Sequence, residues 1–151
     1  MTLSLRPATP LDAGAIGEIL YRFQQGTEWM PELYTWAEVI AFCGVMIDRG
    51  WVTVAVRDNG VQGFLARDGA EVCALYLAPG ACRQGAGKAL LDTAKAAVPR
   101  LTLRTFAANE MAQRFYRREG FAETSRGDGT GNEEGLPDIA YEWHSSQEAA
   151  A

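Results

Sequence analysis

The sequence predicts an α/β domain, and two observations in the middle of the chain predict it. Between Trp51 and Leu77, short apolar segments are separated by the turn sequences Asp58-Asn59-Gly60 and Arg67-Asp68-Gly69, a pattern typical of successive antiparallel strands. After Leu77 the pattern changes to a glycine loop followed by apolar residues at helical spacing. Three antiparallel strands are therefore expected to give way to a strand, a loop and a helix.

Length and composition favour one compact domain. The chain has 151 residues, 48% of them hydrophobic, which is enough to bury roughly two thirds of the unfolded surface. We expect a single domain over residues 1–144 and a disordered tail over residues 145–151. The sequence has no apolar run near the ~20 residues that span a bilayer, and its first residues lack the features of a signal peptide. A cytoplasmic protein without membrane contact is the expectation.

Two helices are predicted in the first 50 residues. The first follows a short strand at residues 3–5 and starts after the N-cap candidate Thr9. Its predicted apolar face comprises Leu11, Ala15, Ile19 and Phe23. The second starts at the capping box Thr35-Trp-Ala-Glu38 and ends at Gly50. Its predicted apolar face comprises Trp36, Val39, Ile40, Cys43 and Ile47.

The second half of the chain alternates helices and strands. The helix that follows the glycine loop carries its apolar residues at Leu90, Leu91, Ala94 and Val98. A strand is expected at residues 101–105, a helix from Asn109 to Gly120 and a strand at residues 121–125. A polar loop over residues 126–138 then leads to the last strand, residues 139–143.

The glycine loop has the features of an anion site. The first N–H groups of a helix have no partner within the helix, and the helix dipole adds partial positive charge there. Gly85 and Gly87 let a ligand approach the backbone, and Arg83 and Lys88 add positive charge. A Walker A loop is excluded because Cys82 stands where its first glycine is needed, and a dinucleotide fingerprint is excluded by Leu90.

Two segments of the chain have the form of family signatures. One is the loop Cys82-Arg-Gln-Gly-Ala-Gly87, and the other is the run Asn109-Glu-Met-Ala-Gln-Arg-Phe-Tyr116-Arg-Arg-Glu-Gly-Phe121. They resemble the two signatures of the GNAT superfamily, the acetyl-CoA-dependent N-acetyltransferases, which are the acyl-CoA motif Gln/Arg-x-x-Gly-x-Gly/Ala and the motif Asn-x-x-Ala-x-x-x-Tyr-x-x-x-Gly-Phe. The loop departs at its first residue, which is Cys82, with Arg83 adjacent. The order of the two signatures and the helix and strand between them also fit the family.

The resemblance implies a mixed β-sheet that splits at the acyl-CoA site and is flanked by helices. Acetyl-CoA would be the co-substrate, with its pantetheine arm against residues 75–77 and its pyrophosphate on the backbone of residues 83–88. Asn109 matches a cofactor-contacting asparagine and is also a candidate N-cap. The implied cofactor-binding residues are Leu75, Tyr76, Leu77, Cys82, Arg83, Gln84, Gly85, Ala86, Gly87, Lys88, Asn109 and Tyr116.

The family's chemistry is direct transfer of acetyl from the thioester to a primary amine of a small molecule or peptide. By resemblance, Tyr116 would serve as the general acid, a backbone N–H near Leu77 would stabilise the oxyanion, and Glu71 would be the first choice of base. Ribosomal-protein acetyltransferases have a glutamate where this chain has Arg104, which disfavours that substrate class. The acceptor site is expected in the segment after the first helix, at Glu28, Trp29, Glu32 and Tyr34.

Charge and cysteine content limit the other possible functions. A net charge of -5 disfavours nucleic-acid partners, including the aminoacyl-tRNA of acetylating toxins. The three cysteines show no metal-ligand spacing, so we expect reduced thiols and no metal. The alternative to an enzyme is a non-catalytic acyl-CoA-binding sensor that keeps the fold. A homodimer formed through the outer strands is compatible with the sequence.

Overall fold

The computed structural model describes residues 2–58, 60–81 and 84–146. The predicted tail is therefore outside the described residues from position 147 onward, as are Asn59, Cys82 and Arg83. The strands are β1 Ser4–Pro7, β2 Val52–Arg57, β3 Gly60–Asp68, β4 Glu71–Leu77, β5 Arg100–Phe106, β6 Ala122–Gly127 and β7 Asp138–His144. The helices are α1 Ala13–Gly26, α2 Trp36–Asp48, α3 Ala86–Ala97 and α4 Glu110–Arg118, with a 3-10 turn at Pro10–Asp12.

The chain divides into two compact units. The first unit comprises residues 1–68 and 73–93, and the second comprises residues 69–72 and 94–151. In the first unit the strand order is β1-β2-β3-β4. β1 and β3 both pair antiparallel with β2, and Val54 stands opposite Arg6 on one side and Phe64 on the other. The hairpin of β2 and β3 thus forms as the turn sequence predicts.

The core of the first unit lies between its strands and the pair α1 and α2. Its buried residues are Ile16, Ile19, Val39, Cys43, Met46, Ile47, Val52, Val54, Phe64, Ala66 and Ala74. The two helices pack closely because Gly17 has no Cβ; one built there would lie 2.7 Å from Ile40 Cγ1. Each fully buried aliphatic side chain contributes about 1.5–3 kcal/mol to folding, so this apolar layer is the main source of the unit's stability.

The predicted helix faces need three corrections. Leu11 is 95% exposed and Ala15 is exposed, whereas Ile19 is buried as predicted, together with Ile16. The 3-10 turn at Pro10–Asp12 rotates the chain by about 120° per residue instead of about 100°, so Leu11 does not lie on the face of α1 that carries Ile19. Trp36, the first residue of α2, is 53% exposed. Helical periodicity predicts which face of a helix is buried, but not at which residue along the helix the burial begins or ends.

In the second unit the first residues of β4 meet β5, followed by β7 and β6. Glu71 pairs with Thr102 in parallel orientation, whereas β5 and β6 both pair antiparallel with β7. The sheet is therefore mixed, and the predicted α/β fold class is confirmed. Buried side chains of this unit include Leu101, Leu103, Tyr116, Phe121, Ile139 and Tyr141. No helix within the described residues is long and apolar enough to cross a membrane.

Candidate active site

The loop between β4 and α3 contains two glycines in the left-handed region. Gly80 has a φ of 83° and Gly85 a φ of 85°, values that other residues adopt at a cost of roughly 1–2 kcal/mol. A Cβ built on either glycine would meet no atom of the described residues within 4 Å. The sequence therefore needs glycine at these positions for the backbone conformation.

The first turn of α3 contains no side-chain oxygen. It consists of Gly85, Ala86, Gly87 and Lys88, so no side chain there can accept a hydrogen bond from the helix N–H groups. Among the described residues, the first hydrogen bond of α3 runs from Ala89 N–H to the carbonyl of Gly85, at 3.0 Å. Ala86 and Gly87 precede this bond, and their N–H groups are of the kind that bind phosphate at helix N-termini.

The carboxyl end of β4 leads directly into this loop. Leu75, Tyr76 and Leu77 are half-buried. Beyond them, Ala78 N–H donates to the carbonyl of Gln62 at 2.8 Å, which fixes the start of the loop against β3. The residues that the family resemblance assigns to the pantetheine arm are thus continuous along the backbone with those assigned to the pyrophosphate.

An aromatic series connects β4 with the predicted acceptor segment. The ring of Tyr76 lies 5.0 Å from that of Phe23 and 6.0 Å from that of Phe64, between centroids. The Phe23 ring in turn lies 6.2 Å from that of Trp29, close to edge-on. Trp29 is therefore held by packing on α1. The sequence predicts Phe23 only as part of the face of α1, and its spacing gives no sign that it contacts both Trp29 and Tyr76.

The rest of the predicted acceptor segment is exposed. Glu28, Glu32 and Tyr34 are all accessible to solvent. The segment is nevertheless anchored, because the Gln24 side-chain amide donates to the carbonyl of Tyr34 at 3.1 Å. Two carboxylates are thus presented on a loop held at both ends, which suits a cationic acceptor.

Helix α4 holds Tyr116 in an aromatic cluster. Tyr116 is 8% exposed, and its ring centroid lies 5.2 Å from that of Phe115, 5.5 Å from that of Phe121 and 6.3 Å from that of Tyr141. The Phe121 N–H donates to the carbonyl of Tyr116 at 2.9 Å. The phenol is thus carried by a well-packed ring, a condition for a positioned donor.

Side chains fix both ends of α4. Asn109 Oδ1 accepts from Ala112 N–H at 3.1 Å, and this confirms that Asn109 is an N-cap. Gln113 Nε2 donates to the carbonyl of Ala107 at 2.8 Å. At the other end Lys95 Nζ donates to the carbonyl of Glu119 at 2.5 Å and lies over the rings of Phe121 and Trp143. A lysine near a helix C-terminus also matches the helix dipole.

Glu71 and Arg104 lie in the β4 and β5 part of the second unit. Glu71 is exposed at the start of β4, where it pairs with Thr102. Arg104, two residues further along β5, contacts the buried carboxylate of Asp138 at 3.3 Å. Asn132 donates to the carbonyl of Leu136 at 2.8 Å and organises the polar loop before β7. Glu71 is thus an exposed carboxylate, whereas Arg104 is engaged with Asp138.

The predicted site residues therefore fall into two groups. Residues 75–77 and 84–88 follow one another in the first unit, together with the acceptor segment. Glu71, Asn109 and Tyr116 belong to the second unit. Cys82 and Arg83 lie outside the described residues. Among residues 2–58, 60–81 and 84–146, no cluster of three or more His, Cys, Asp or Glu residues could hold a metal ion.

The glycine loop and α4 lie within a segment that matches a known domain family. The sequence profile of the Acetyltransferase (GNAT) domain matches residues 33–123, which include α2, the glycine loop and α4. The chain belongs to the GNAT acetyltransferase family. The match confirms the resemblance seen in the two signature segments, including the one that begins at the atypical Cys82.

Curated relatives of this GNAT domain are bacterial lysine acetyltransferases. Peptidyl-lysine N-acetyltransferase YjaB of Escherichia coli (strain K12) is 36% identical over 93 residues, which cover 60% of this chain and 63% of that relative. Peptidyl-lysine N-acetyltransferase YiaC of the same strain is 35% identical over 66 residues, 43% of this chain and 45% of the relative. The matched segments thus span less than two thirds of either relative.

Solved structures extend the similarity of fold to nearly the whole chain. The solution structure of apo-form YjaB from Escherichia coli superposes with a TM-score of 0.79 and 22% identity, covering 97% of this chain and 100% of that one. The structure of yncA from Salmonella typhimurium with its cofactor acetyl-CoA has a TM-score of 0.73 and 20% identity, covering 95% and 94% of the two chains. These similarities establish the GNAT fold.

Proposed function

We propose that this protein is an N-acetyltransferase that moves the acetyl group of acetyl-CoA to a primary amine. The observation that carries the proposal is the start of α3, where a glycine loop leads into a first turn with no side-chain oxygen. A polyanionic cofactor complements those N–H groups and the helix dipole. Family membership supports acetyl-CoA as that cofactor, and yncA, of the same fold, is a complex with acetyl-CoA.

The proposed cofactor-binding residues lie at the end of β4, in the loop before α3 and on α4. The backbone of Leu75, Tyr76 and Leu77 pairs with the amides of pantetheine, as a peptide adds to a sheet edge. The pyrophosphate binds to the loop residues Cys82, Arg83, Gln84, Gly85, Ala86, Gly87 and Lys88. Asn109 caps α4 through its side-chain oxygen, and its amide nitrogen is the group assigned to the cofactor.

Tyr116 is proposed to assist departure of the CoA thiolate. Free tyrosine has a pKa of about 10 and a free thiol about 8.5, so complete proton transfer to the thiolate is uphill by roughly 2 kcal/mol. A hydrogen bond from the phenol to the developing thiolate avoids that cost. The packing of the ring against Phe121 and Tyr141 supports this role because it restricts the phenol to one position.

The acceptor amine must lose a proton before it attacks. An alkyl amine with a pKa of about 10.4 is almost fully protonated at pH 7, and the neutral form costs about 4.6 kcal/mol. We assign the base to Glu71, which is exposed and therefore able to pass the proton to solvent. Lysine has the required primary amine, and the relatives YjaB and YiaC are named for it, so a peptidyl-lysine side chain is the proposed acceptor class.

Glu28, Trp29, Glu32 and Tyr34 are proposed to receive the acceptor. The two carboxylates attract a cationic lysine, and Trp29 and Tyr34 offer apolar surface to its aliphatic stem. The anchored loop and the exposed carboxylates support this assignment. Small polyamines share the charge and the aliphatic stem, and they are the second acceptor to test.

The experiment measures thiol release from acetyl-CoA with lysine peptides and with polyamines. We expect turnover of at least one amine, a loss of about 100-fold in kcat for Tyr116→Phe, and acetyl-CoA affinity within about threefold of wild type. Tyr141→Phe is the matched control, since it removes a neighbouring buried hydroxyl from the same aromatic cluster. Glu71→Gln is expected to shift the pH profile of kcat/KM, whereas Glu18→Gln, on the exposed face of α1, is not.

Two results would contradict the proposal. If Tyr116→Phe and Tyr141→Phe lost activity equally, the loss would be due to disturbed packing of the aromatic cluster. Tyr116 would then have no catalytic role. Binding of acetyl-CoA without turnover of any amine would instead favour an acyl-CoA sensor, the alternative that the departure at Cys82 keeps open.

A further inference from the structure

Arg57 connects the β2–β3 hairpin to the glycine loop. It is the last residue of β2 and pairs with Gly60 at the start of β3. Its Nη1 donates to Gln84 Oε1 at 2.7 Å, and Gln84 Nε2 donates to the carbonyl of Gly80 at 3.0 Å. These two hydrogen bonds link Arg57 directly to Gln84, 27 positions away in sequence, and through Gln84 to the backbone of Gly80.

Within the described residues, no carboxylate forms an ion pair with Arg57. Arg6 pairs with Asp12 and Arg22 with Glu18 in the same unit, whereas the only acceptor that the described residues offer Arg57 is the neutral amide of Gln84. Its Nε is also buried without a hydrogen-bond partner among those residues. A buried donor that lacks a partner is destabilising. The position of the Arg57 side chain is therefore not explained by a contribution to stability.

The acyl-CoA motif of this chain lacks a charged or amide side chain at its first position. The motif has Gln or Arg there, and this chain has Cys82. We infer that Arg57 is a residue of the cofactor's pyrophosphate site, in which it holds Gln84 in place and supplies, from a different strand, the positive charge that position 82 does not. The inference rests on the proposed binding of acetyl-CoA, and it adds to that site a residue that neither GNAT signature contains.

Two consequences separate this role from a purely structural one. Arginine attracts a phosphate electrostatically, so the contribution of Arg57 must weaken as salt screens it. A hydrogen bond that only shaped the loop would respond little to salt. The contribution of residue 57 to acetyl-CoA affinity must also depend on its positive charge. Arg57→Lys should therefore retain part of the affinity that Arg57→Gln loses.

The test is calorimetric titration of the 151-residue chain with acetyl-CoA at about 50 mM and about 300 mM NaCl. For Arg57→Gln we expect Kd to rise about tenfold at low salt and less at high salt, and for Arg57→Lys about threefold. Arg22→Gln is the control because it removes one charge from the exposed surface of α1. A rise in Kd for Arg57→Gln no greater than for Arg22→Gln, or one independent of salt, would overturn the inference.

Dephospho-CoA, which keeps the pyrophosphate and lacks the 3′-phosphate, identifies the group that Arg57 serves. We expect Arg57→Gln to weaken CoA and dephospho-CoA by the same factor. A loss confined to CoA would place Arg57 at the 3′-phosphate and contradict the assignment. Gln84→Ala, which leaves Arg57 in place, provides a second variant if Arg57→Gln does not fold, and it is expected to weaken both ligands to a similar extent.

Failure of the inference is distinguishable from failure of the proposed function. If wild type binds neither acetyl-CoA nor CoA, the proposed function is wrong. If wild type binds both and Arg57→Gln behaves like Arg22→Gln, only the role of Arg57 is wrong. Thermal unfolding of each variant, measured without ligand, shows whether a change in Kd arises from loss of folded protein.

Discussion

The start of α3 differs from the starts of α2 and α4. Helix α2 begins with a capping box, in which Thr35 Oγ1 accepts from Glu38 N–H at 3.2 Å and Glu38 Oε1 accepts from Thr35 N–H at 3.0 Å. Helix α4 begins with Asn109, whose Oδ1 accepts from Ala112 N–H. Helix α3 begins with a glycine in the left-handed region and has no oxygen-bearing side chain in its first turn.

This difference separates two uses of a helix N-terminus. A side-chain cap satisfies N–H groups within the protein and stabilises it by about 1 kcal/mol. Without such a cap, N–H groups are available to an external anion, and that contribution to stability is absent until the anion binds. We therefore predict that α3, rather than α2 or α4, binds a ligand at its N-terminus.

The largest expected effect comes from giving α3 an acidic side chain at its start. Gly85→Asp places a carboxylate where the pyrophosphate is expected, and we predict that acetyl-CoA affinity falls about 100-fold, through repulsion between like charges. Gly85→Asn is the matched control, because asparagine has nearly the same shape and the same tolerance for a positive φ but no charge. Calorimetric titration measures both variants.

A much weaker loss is expected for Gly85→Asn, about tenfold or less, from strain and crowding alone. Equal affinities of the two variants would mean that charge at this helix start is irrelevant. The absence of a side-chain cap in the first turn of α3 would then be unrelated to cofactor binding.

An intermediate effect is expected at the 3-10 turn before α1, where the acidic side chain is native. Arg6 donates to both oxygens of Asp12, at 2.7 and 3.0 Å, and the Thr9 N–H donates to the same carboxylate at 2.7 Å. The hydrogen bond from Arg6 is the main cause of a pKa of about 2 for Asp12, below the ordinary carboxyl range. Because the folded-state pKa is the lower one, this stabilisation is complete above about pH 4 and is lost as the pH falls toward 2.

We therefore predict that Asp12→Asn lowers the free energy of unfolding by about 1–2 kcal/mol at pH 7, a value discounted for solvent around the half-exposed Arg6. Urea unfolding at pH 7, 5 and 3 is the measurement. The difference between variant and wild type should be equal at pH 7 and 5 and smaller at pH 3. A difference that grew on acidification would contradict the linkage.

The smallest effects are expected at the capped starts of α2 and α4. Thr35→Ala and Asn109→Ala should each lower the free energy of unfolding by about 1 kcal/mol. Only Asn109→Ala should also weaken acetyl-CoA binding, because Asn109 is proposed to contact the cofactor as well as to cap α4. Asn109→Asp keeps a capping oxygen and should restore stability without restoring affinity. Loss of affinity in Thr35→Ala would show that cap removal alone perturbs the cofactor site.

The sequence predicts the parts of the site that depend on local backbone. Gly85 and Asn109 were identifiable because a left-handed turn and an N-cap each require particular residue types at one position. The strands and the order of the helices follow from the periodicity of apolar residues, and the β2–β3 hairpin follows from its turn sequence. These features are set by interactions between residues a few positions apart.

Contacts between distant segments could not be predicted in the same way. Arg57 and Gln84 are both unremarkable in sequence, and the hydrogen bond between them depends on where β2 ends relative to the loop. The packing of Phe23 between Trp29 and Tyr76 likewise depends on how α1 lies on the sheet. Periodicity predicts Leu11 in the core and the structure exposes it, because the 3-10 turn before α1 has no clear signature in the sequence.

The most direct test of the central claim compares acetyl-CoA with acetyl-pantetheine, which carries the same thioester and pantetheine arm but no phosphate. If the start of α3 is a phosphate site, calorimetric titration of wild type should give acetyl-CoA an affinity at least about 100-fold higher than that of acetyl-pantetheine. Gly85→Asp should reduce this ratio. Equal affinities of the two ligands for wild type would contradict the assignment of the uncapped α3 start to cofactor binding.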